Sequence, residues 1–83
     1  MYTVYILEDA NGRVYKGMTQ DLARRLKEHR AGHTKTTRSM KDLVVVYTEE
    51  FQNSKSARQR EVYFKSAAGR LFLKKLRARS SAG

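Results

Sequence analysis

The chain reads as an α+β domain: a three-stranded, mainly antiparallel sheet with the first strand central and helices around it, in the order β-β-α-β-α-α. Three observations predict this. Residues 2–7, "YTVYIL", and residues 43–47, "LVVVY", are β-branched and aromatic-rich runs of strand length. Asn11-Gly12, just after the first run, is a strong hairpin signal. Three later segments carry apolar residues at helical spacing.

The first strand spans residues 2–7, and a second ends over 14–17. Arg13 and Lys16 mark this second strand as an edge, where charge discourages aggregation. Two registers are open for the hairpin. A two-residue Asn11-Gly12 turn pairs Glu8 with Tyr15 and puts Tyr5 and Tyr15 on opposite faces. A three-residue loop, Ala10-Asn11-Gly12, with Gly12 in a G1 bulge, pairs Leu7 with Tyr15 and Tyr5 with Gly17. The second register is preferred. It puts Tyr5, Tyr15 and Gly17 on one face, with a gap beside the Tyr5 ring where a phosphate or water can approach.

Thr19 is the expected N-cap of a helix over 21–30, with Gly32 at its stop. A polar, basic loop follows over 33–41. The run at 43–47 is expected to be a strand covered on both faces. A second helix is expected over 54–67, capped by Asn53 or Ser54, with Gly69 breaking the chain. Phe72, Leu73 and Leu76 give a last short amphipathic helix. A single domain over 1–79 and a flexible tail over 80–83 are expected.

The chain has 83 residues, no cysteine and no proline. Neither a disulfide framework nor a cysteine zinc site is available. No segment approaches the roughly 20 apolar residues of a membrane span, so no membrane partner and a cytoplasmic location are expected. The net charge of +10 points to a polyanion, usually nucleic acid. Between residues 55 and 79 nine side chains are basic and one, Glu61, is acidic.

Several polar groups sit on apolar faces. Leu22, Arg25, Leu26 and His29 share one side of the first helix. Arg25 there is either a snorkelling stem or a phosphate ligand. His29 either caps the helix end or contacts phosphate. On the second helix Ala57, Glu61, Phe64 and Ala68 form a stripe that Glu61 interrupts. Glu61 is either a surface ion pair with Arg58 or Lys65, or a holder of a hard cation such as Mg²⁺, which takes one carboxylate, waters and substrate phosphate. Glu8-Asp9 and Glu49-Glu50 compete, but adjacent strand residues point to opposite faces.

These pieces resemble the GIY-YIG endonuclease superfamily, and within it the small YhbQ-like bacterial members. Its two tripeptides correspond to Thr3-Val4-Tyr5 and Tyr15-Lys16-Gly17, its helix arginine and histidine to Arg25 and His29, and its later glutamate to Glu61. Thr3 and Val4 replace the family's first glycine and isoleucine, and Lys16 replaces an aliphatic residue. Met18 stands where a repair branch has lysine, and the homing branch's C-terminal asparagine has no counterpart.

The resemblance implies hydrolysis of DNA phosphodiesters with one divalent metal. Glu61 would hold Mg²⁺ or Mn²⁺, and Tyr5 or Tyr15 would take a proton from water. Arg25 would neutralise phosphate charge, with His29 in support. Lys35, Arg38 and the last helix would grip the backbone of DNA, or of RNA. No small-molecule cofactor is implied. A binding module that keeps the fold without catalysis, and a ribosome-associated protein, are the alternatives.

Overall fold

The computed structural model describes residues 1–82, with side chains through residue 76. Its elements are β1 (Tyr2–Glu8), β2 (Val14–Thr19), α1 (Leu22–Arg30), β3 (Val44–Phe51), α2 (Ser54–Phe64) and α3 (Ala67–Ala82). The sheet order is β2-β1-β3, with both pairings antiparallel. The central strand is therefore the one whose side chains are apolar on both faces. Val4, Tyr5, Ile6 and Leu7 are all buried.

Their alternation divides the core into two layers. Val4 and Ile6 meet Ala57, Phe64 and Leu73 of α2 and α3. Tyr5 and Leu7 meet Leu43 and, on α1, Leu22 and Leu26. One sheet face thus carries the long-helix core, and the other carries the tyrosine face.

The hairpin takes the three-residue loop. Tyr5 pairs with Gly17 and Leu7 with Tyr15. Gly12 has φ 83°, the left-handed conformation the bulge requires. Asp9 fixes the loop from inside: its carboxylate accepts from the backbone N–H of Asn11 (3.0 Å) and of Arg13 (2.7 Å), and from Arg13 Nε (2.8 Å). These bonds hold the Asp9 carboxyl below the usual carboxylate range against the opposing effect of burial.

Four sequence expectations shift. Asp21, not Thr19, caps α1, its side chain accepting from the Arg24 N–H. Thr19 still belongs to β2, where its hydroxyl accepts from the Asp21 N–H at 3.1 Å. β3 is longer than the apolar run and is not covered on both faces, because it is an edge strand; Val44 is exposed. It also carries a bulge opposite Ile6 and Leu7. α2 ends at Phe64, earlier than expected, and Ala68 is exposed beyond it.

Gly69 does not break the chain. It lies inside α3, and the corner is made instead by Lys65 and Ser66, whose N–H groups donate to Val62 and Tyr63 carbonyls. Ser66 Oγ accepts from the Gly69 N–H at 3.2 Å, capping the new helix. The tail expected over 80–83 falls among residues whose side chains are not described, and Gly83 lies outside the described residues. No helix of the described residues is long and apolar enough to cross a membrane.

Arg60 ties the α2–α3 layer to β3. Its guanidinium lies 4.7 Å from the Tyr63 and Phe64 ring centroids and bonds Glu49. The Tyr47 hydroxyl donates to the same Glu49 at 2.6 Å. Glu49 is therefore a structural acid, as Asp9 is.

Candidate active site

Pairing of Tyr5 with Gly17 decides the site's shape. A Cβ at residue 17 would stand 2.5 Å from the Tyr5 hydroxyl and 2.6 Å from its Cζ. The Tyr5 ring occupies the space that a side chain at 17 would fill, so the opening expected there for a phosphate or water is taken up by the phenol itself. Gly17 does not have positive φ, so the requirement is steric and not conformational.

Tyr15, two residues before Gly17, shares this face by strand alternation. Its ring meets that of Tyr5 edge-on, with centroids 6.1 Å apart. α1 then lays His29 across both. The His29 ring is 4.8 Å from Tyr15 and 5.8 Å from Tyr5. His29 is 1% exposed, so it is a core residue whose two nitrogens must find partners. Nε2 lies 2.7 Å from the Tyr5 hydroxyl, and Nδ1 lies 2.8 Å from Thr37 Oγ1.

Burial, and next the nearby Arg25 charge, push His29 below its ordinary value, so the ring is neutral at pH 7. Burial pushes the Tyr5 phenol up to about 12, against a smaller opposing effect of Arg25. Tyr5 is therefore protonated. The Arg25 charge acts on the Tyr5 oxygen and favours an O–H turned away from it, so we assign the phenol O–H as donor to Nε2. Nδ1–H then donates to Thr37 Oγ1.

Arg25 stands at the wet edge of this cluster. Glu28 accepts from it at 3.0 Å. Its guanidinium is held firmly protonated, first by Glu28, then by Tyr5, with a smaller part from Tyr15. Arg25, Tyr5 and Tyr15 thus act on one another. A groove beside them is lined by Thr19, Gln20, Asp21, Arg24, Arg25 and Glu28.

Five of the sequence candidates converge: Tyr5, Tyr15, Gly17, Arg25 and His29. Glu61 comes from elsewhere. It lies on α2, which packs on the opposite sheet face, and its ion-pair partner is Lys65 at 3.8 Å. Among the described residues no three His, Cys, Asp or Glu side chains gather as metal ligands. Four of the other acids have structural tasks: Asp9 in the hairpin, Asp21 at the helix cap, Glu28 on Arg24 and Arg25, and Glu49 on Arg60. Among the described residues the ion-pair contact of Glu61 is the long one to the exposed Lys65, which leaves its carboxylate able to take a hard ion completed by water and phosphate.

Lys35 is exposed on the 33–41 loop, and Arg38 Nε donates to the Gly32 carbonyl at 3.2 Å. Lys16 points to the face opposite Tyr5, where burial, then Arg70 and Lys65, lower its pKa. Met18 pairs with Val4 and packs into the α2–α3 core, which accounts for an apolar residue there. Thr37 was not singled out by the sequence. It sits in "HTKTTR" with two other threonines, and only the fold shows which one reaches His29.

The buried pair gives a pH prediction. His29 binds a proton less readily folded than unfolded, where its value is about 6.5. Stability is thus full above pH 6.5 and falls as pH drops through that value toward the lowered folded one. Tyr5 has the opposite sign. Its contribution is full below about pH 10 and is lost as pH rises toward about 12. Urea denaturation from pH 4.5 to 11.5 is expected to show both limbs. A His29→Gln variant is expected to lose the limb near pH 6.5; an unchanged limb there would locate it on another group.

A family model described as the GIY-YIG catalytic domain matches residues 1–76. The UPF0213 protein of Natronomonas pharaonis is 41% identical over 64 residues, 76% of this chain and 75% of its own length. That of Halobacterium salinarum is 38% identical over 66 residues, covering 78% of this chain and 86% of its own. The solution NMR structure of a UPF0213 protein from Bacillus halodurans aligns with a TM-score of 0.56 at 35% identity, over 92% of this chain and 85% of that one. A tyrosine pair facing a strand glycine, with a helix arginine and histidine laid across it, is therefore set in a chain that belongs to the GIY-YIG family, among its small UPF0213, YhbQ-like members.

Proposed function

We propose that this chain is a metal-dependent endonuclease that hydrolyses DNA phosphodiester bonds. The family is one of nucleases, which supports the reaction class. The observation that carries the reading is the Tyr5–His29 hydrogen bond of 2.7 Å beside Arg25. A phenol with its pKa raised to about 12 is a poor base alone. Bonded to a neutral imidazole, it can accept a proton from water as it passes its own to Nε2. His29 then becomes the imidazolium, and Nδ1–H stays on Thr37. Arg25, on the same face, offsets the negative charge that grows on the phosphate. Tyr15 packs against His29 and Tyr5 and fixes their orientation.

Glu61 would hold Mg²⁺ or Mn²⁺. Because α2 lies on the other sheet face, an ion there would meet the same DNA strand only across the β2 edge, where it would supply positive charge to phosphate oxygens. The chain's own contribution is the relay, the arginine and a gap at Gly17 that leaves room for Tyr5.

The test compares wild type with Glu61→Ala on plasmid and branched DNA, with Mg²⁺, Mn²⁺ or EDTA. Cleavage is expected with metal only and is expected to fall about 10²-fold in the variant. DNA binding without cleavage by either protein would leave a non-catalytic nucleic-acid-binding module. Cleavage that survives the substitution would mark a contaminant or a different metal holder.

A further inference from the structure

The active cluster does not use the loop's far side. There a pocket of about 540 Å³ is lined by Arg30, Arg38, Met40, Lys41, Asp42 and Leu43. Three of these residues are cations and one is an acid. Their pairing sets them apart from the other arginines near the site. Arg13, Arg24 and Arg25 all stand against carboxylates. Arg30 instead donates to the Leu43 carbonyl at 3.1 Å, and Arg38 to the Gly32 carbonyl. A carbonyl orients a guanidinium but leaves its charge unneutralised, so two positioned cations face the pocket with charge to spare.

The pocket is also held in place. The Ala10 N–H donates to the Lys41 carbonyl at 2.9 Å, and Arg13 donates to the Ser39 carbonyl at the same distance. Met40 N–H bonds the Thr37 carbonyl at 3.0 Å, and Thr37 holds His29. The hairpin and α1 therefore fasten this loop between the pocket and the active cluster.

We propose that this pocket binds one phosphodiester group of the bound nucleic-acid strand, away from the scissile one, with Arg30, Arg38 and Lys41 as its cations. This rests on the nuclease reading for the strand's identity. It goes beyond a general basic grip, because the three cations share one phosphate. The half-buried Met40 and buried Leu43 give the pocket an apolar floor on which the adjoining sugar can rest. The phosphate would thereby hold the chain at a fixed offset from Tyr5.

Sharing makes the proposal testable. Salt dependence counts the phosphates a protein neutralises, at about 0.9 in the log–log slope for each. Fluorescence anisotropy on a labelled DNA duplex in EDTA, across salt concentrations, is measured for wild type, Arg38→Gln, Lys41→Gln and the double variant. Each single substitution is expected to lower the slope by up to about 0.9. The double is expected to go no further than about 0.9, with affinity down about eightfold at 0.1 M salt. A double variant that loses about twice that slope would overturn the proposal in favour of independent surface cations. Unchanged slope in all variants would overturn it outright.

Inorganic phosphate supplies the other source of the same chemistry. If it raises the melting temperature of wild type but not of the double variant, while the DNA slopes are unchanged, the pocket takes free phosphate and the strand assignment fails. The experiment separates this proposal from catalysis. Slopes that change as expected alongside absent cleavage would keep the pocket and remove the nuclease. Cleavage that depends on Glu61 with unchanged slopes would do the reverse.

Discussion

Gly69→Ala is expected to destabilise the fold by about 3 kcal/mol or more, and so to lower the melting temperature by more than about 12 °C. The geometry leaves little choice. A Cβ at residue 69 would stand 2.0 Å from the Tyr63 carbonyl oxygen and 2.5 Å from the Phe64 Cα. Both are backbone atoms at the end of α2, so no rotamer change relieves the contact. α3 would have to move away by roughly 1 Å, and the close packing of the core resists that. Phe64 and Leu73, buried across this corner, would lose their fit. In an ordinary helix interior the same substitution stabilises by about 1 kcal/mol. The sign of the change is therefore the test, measured by thermal or urea denaturation. A domain of this length has only about 4–12 kcal/mol in total. A raised melting temperature would show that α3 packs on α2 differently.

Gly69 also marks where the sequence stops being legible. Glycine near the end of a helical pattern reads as a break, because local propensity is all that a sequence displays. The crossing of α2 and α3 is a tertiary fact, set by Phe64, Phe72 and Leu73 meeting below the corner. Thr37 is hidden for the same reason. Its bond to His29 spans an irregular loop, and no periodicity connects the two. The covering of β3 failed as an expectation although the first strand was rightly expected to be central, because an apolar run does not show how far the helices reach over an edge strand. The strand order left β3 at an edge, with Val44 exposed.

The hairpin was legible because its rules are local and discrete. The turn length fixes the register, and the register fixes the face of every side chain. Once Gly12 is placed in the bulge, Tyr5 must oppose Gly17. Helix spacing then brings Arg25 and His29 to the face that Leu22 and Leu26 bury. Glu61 lay at the limit of this logic. Its place on a stripe with Ala57 and Phe64 was readable, but which side of the sheet α2 would cover was not.

Gly17→Ala is expected to lower DNA cleavage by 10²- to 10³-fold and to cost about 1–3 kcal/mol of stability. The methyl would meet the hydroxyl and Cζ of Tyr5 at 2.5 Å and 2.6 Å. An exposed tyrosine would swing aside at little cost. Tyr5 is 1% exposed and is hemmed in by Tyr15 and His29, so a swing must also move those rings or break the 2.7 Å bond to Nε2. Either outcome moves the phenol away from Arg25 and uncouples it from the proton acceptor. Glycine kept merely as a strand end would behave in the opposite way, since alanine is the better strand residue by about 0.5–1 kcal/mol. Stability and cleavage therefore have to fall together. Tyr5→Phe in the same background gives the decisive comparison. Removing the hydroxyl takes away the 2.5 Å contact but leaves the Cζ at 2.6 Å and strips His29 Nε2 of its partner, so the double variant is expected to stay destabilised and its cleavage to stay low. Recovery of cleavage would show that the Tyr5 hydroxyl takes no part in the reaction and that Gly17 serves only the packing of the ring.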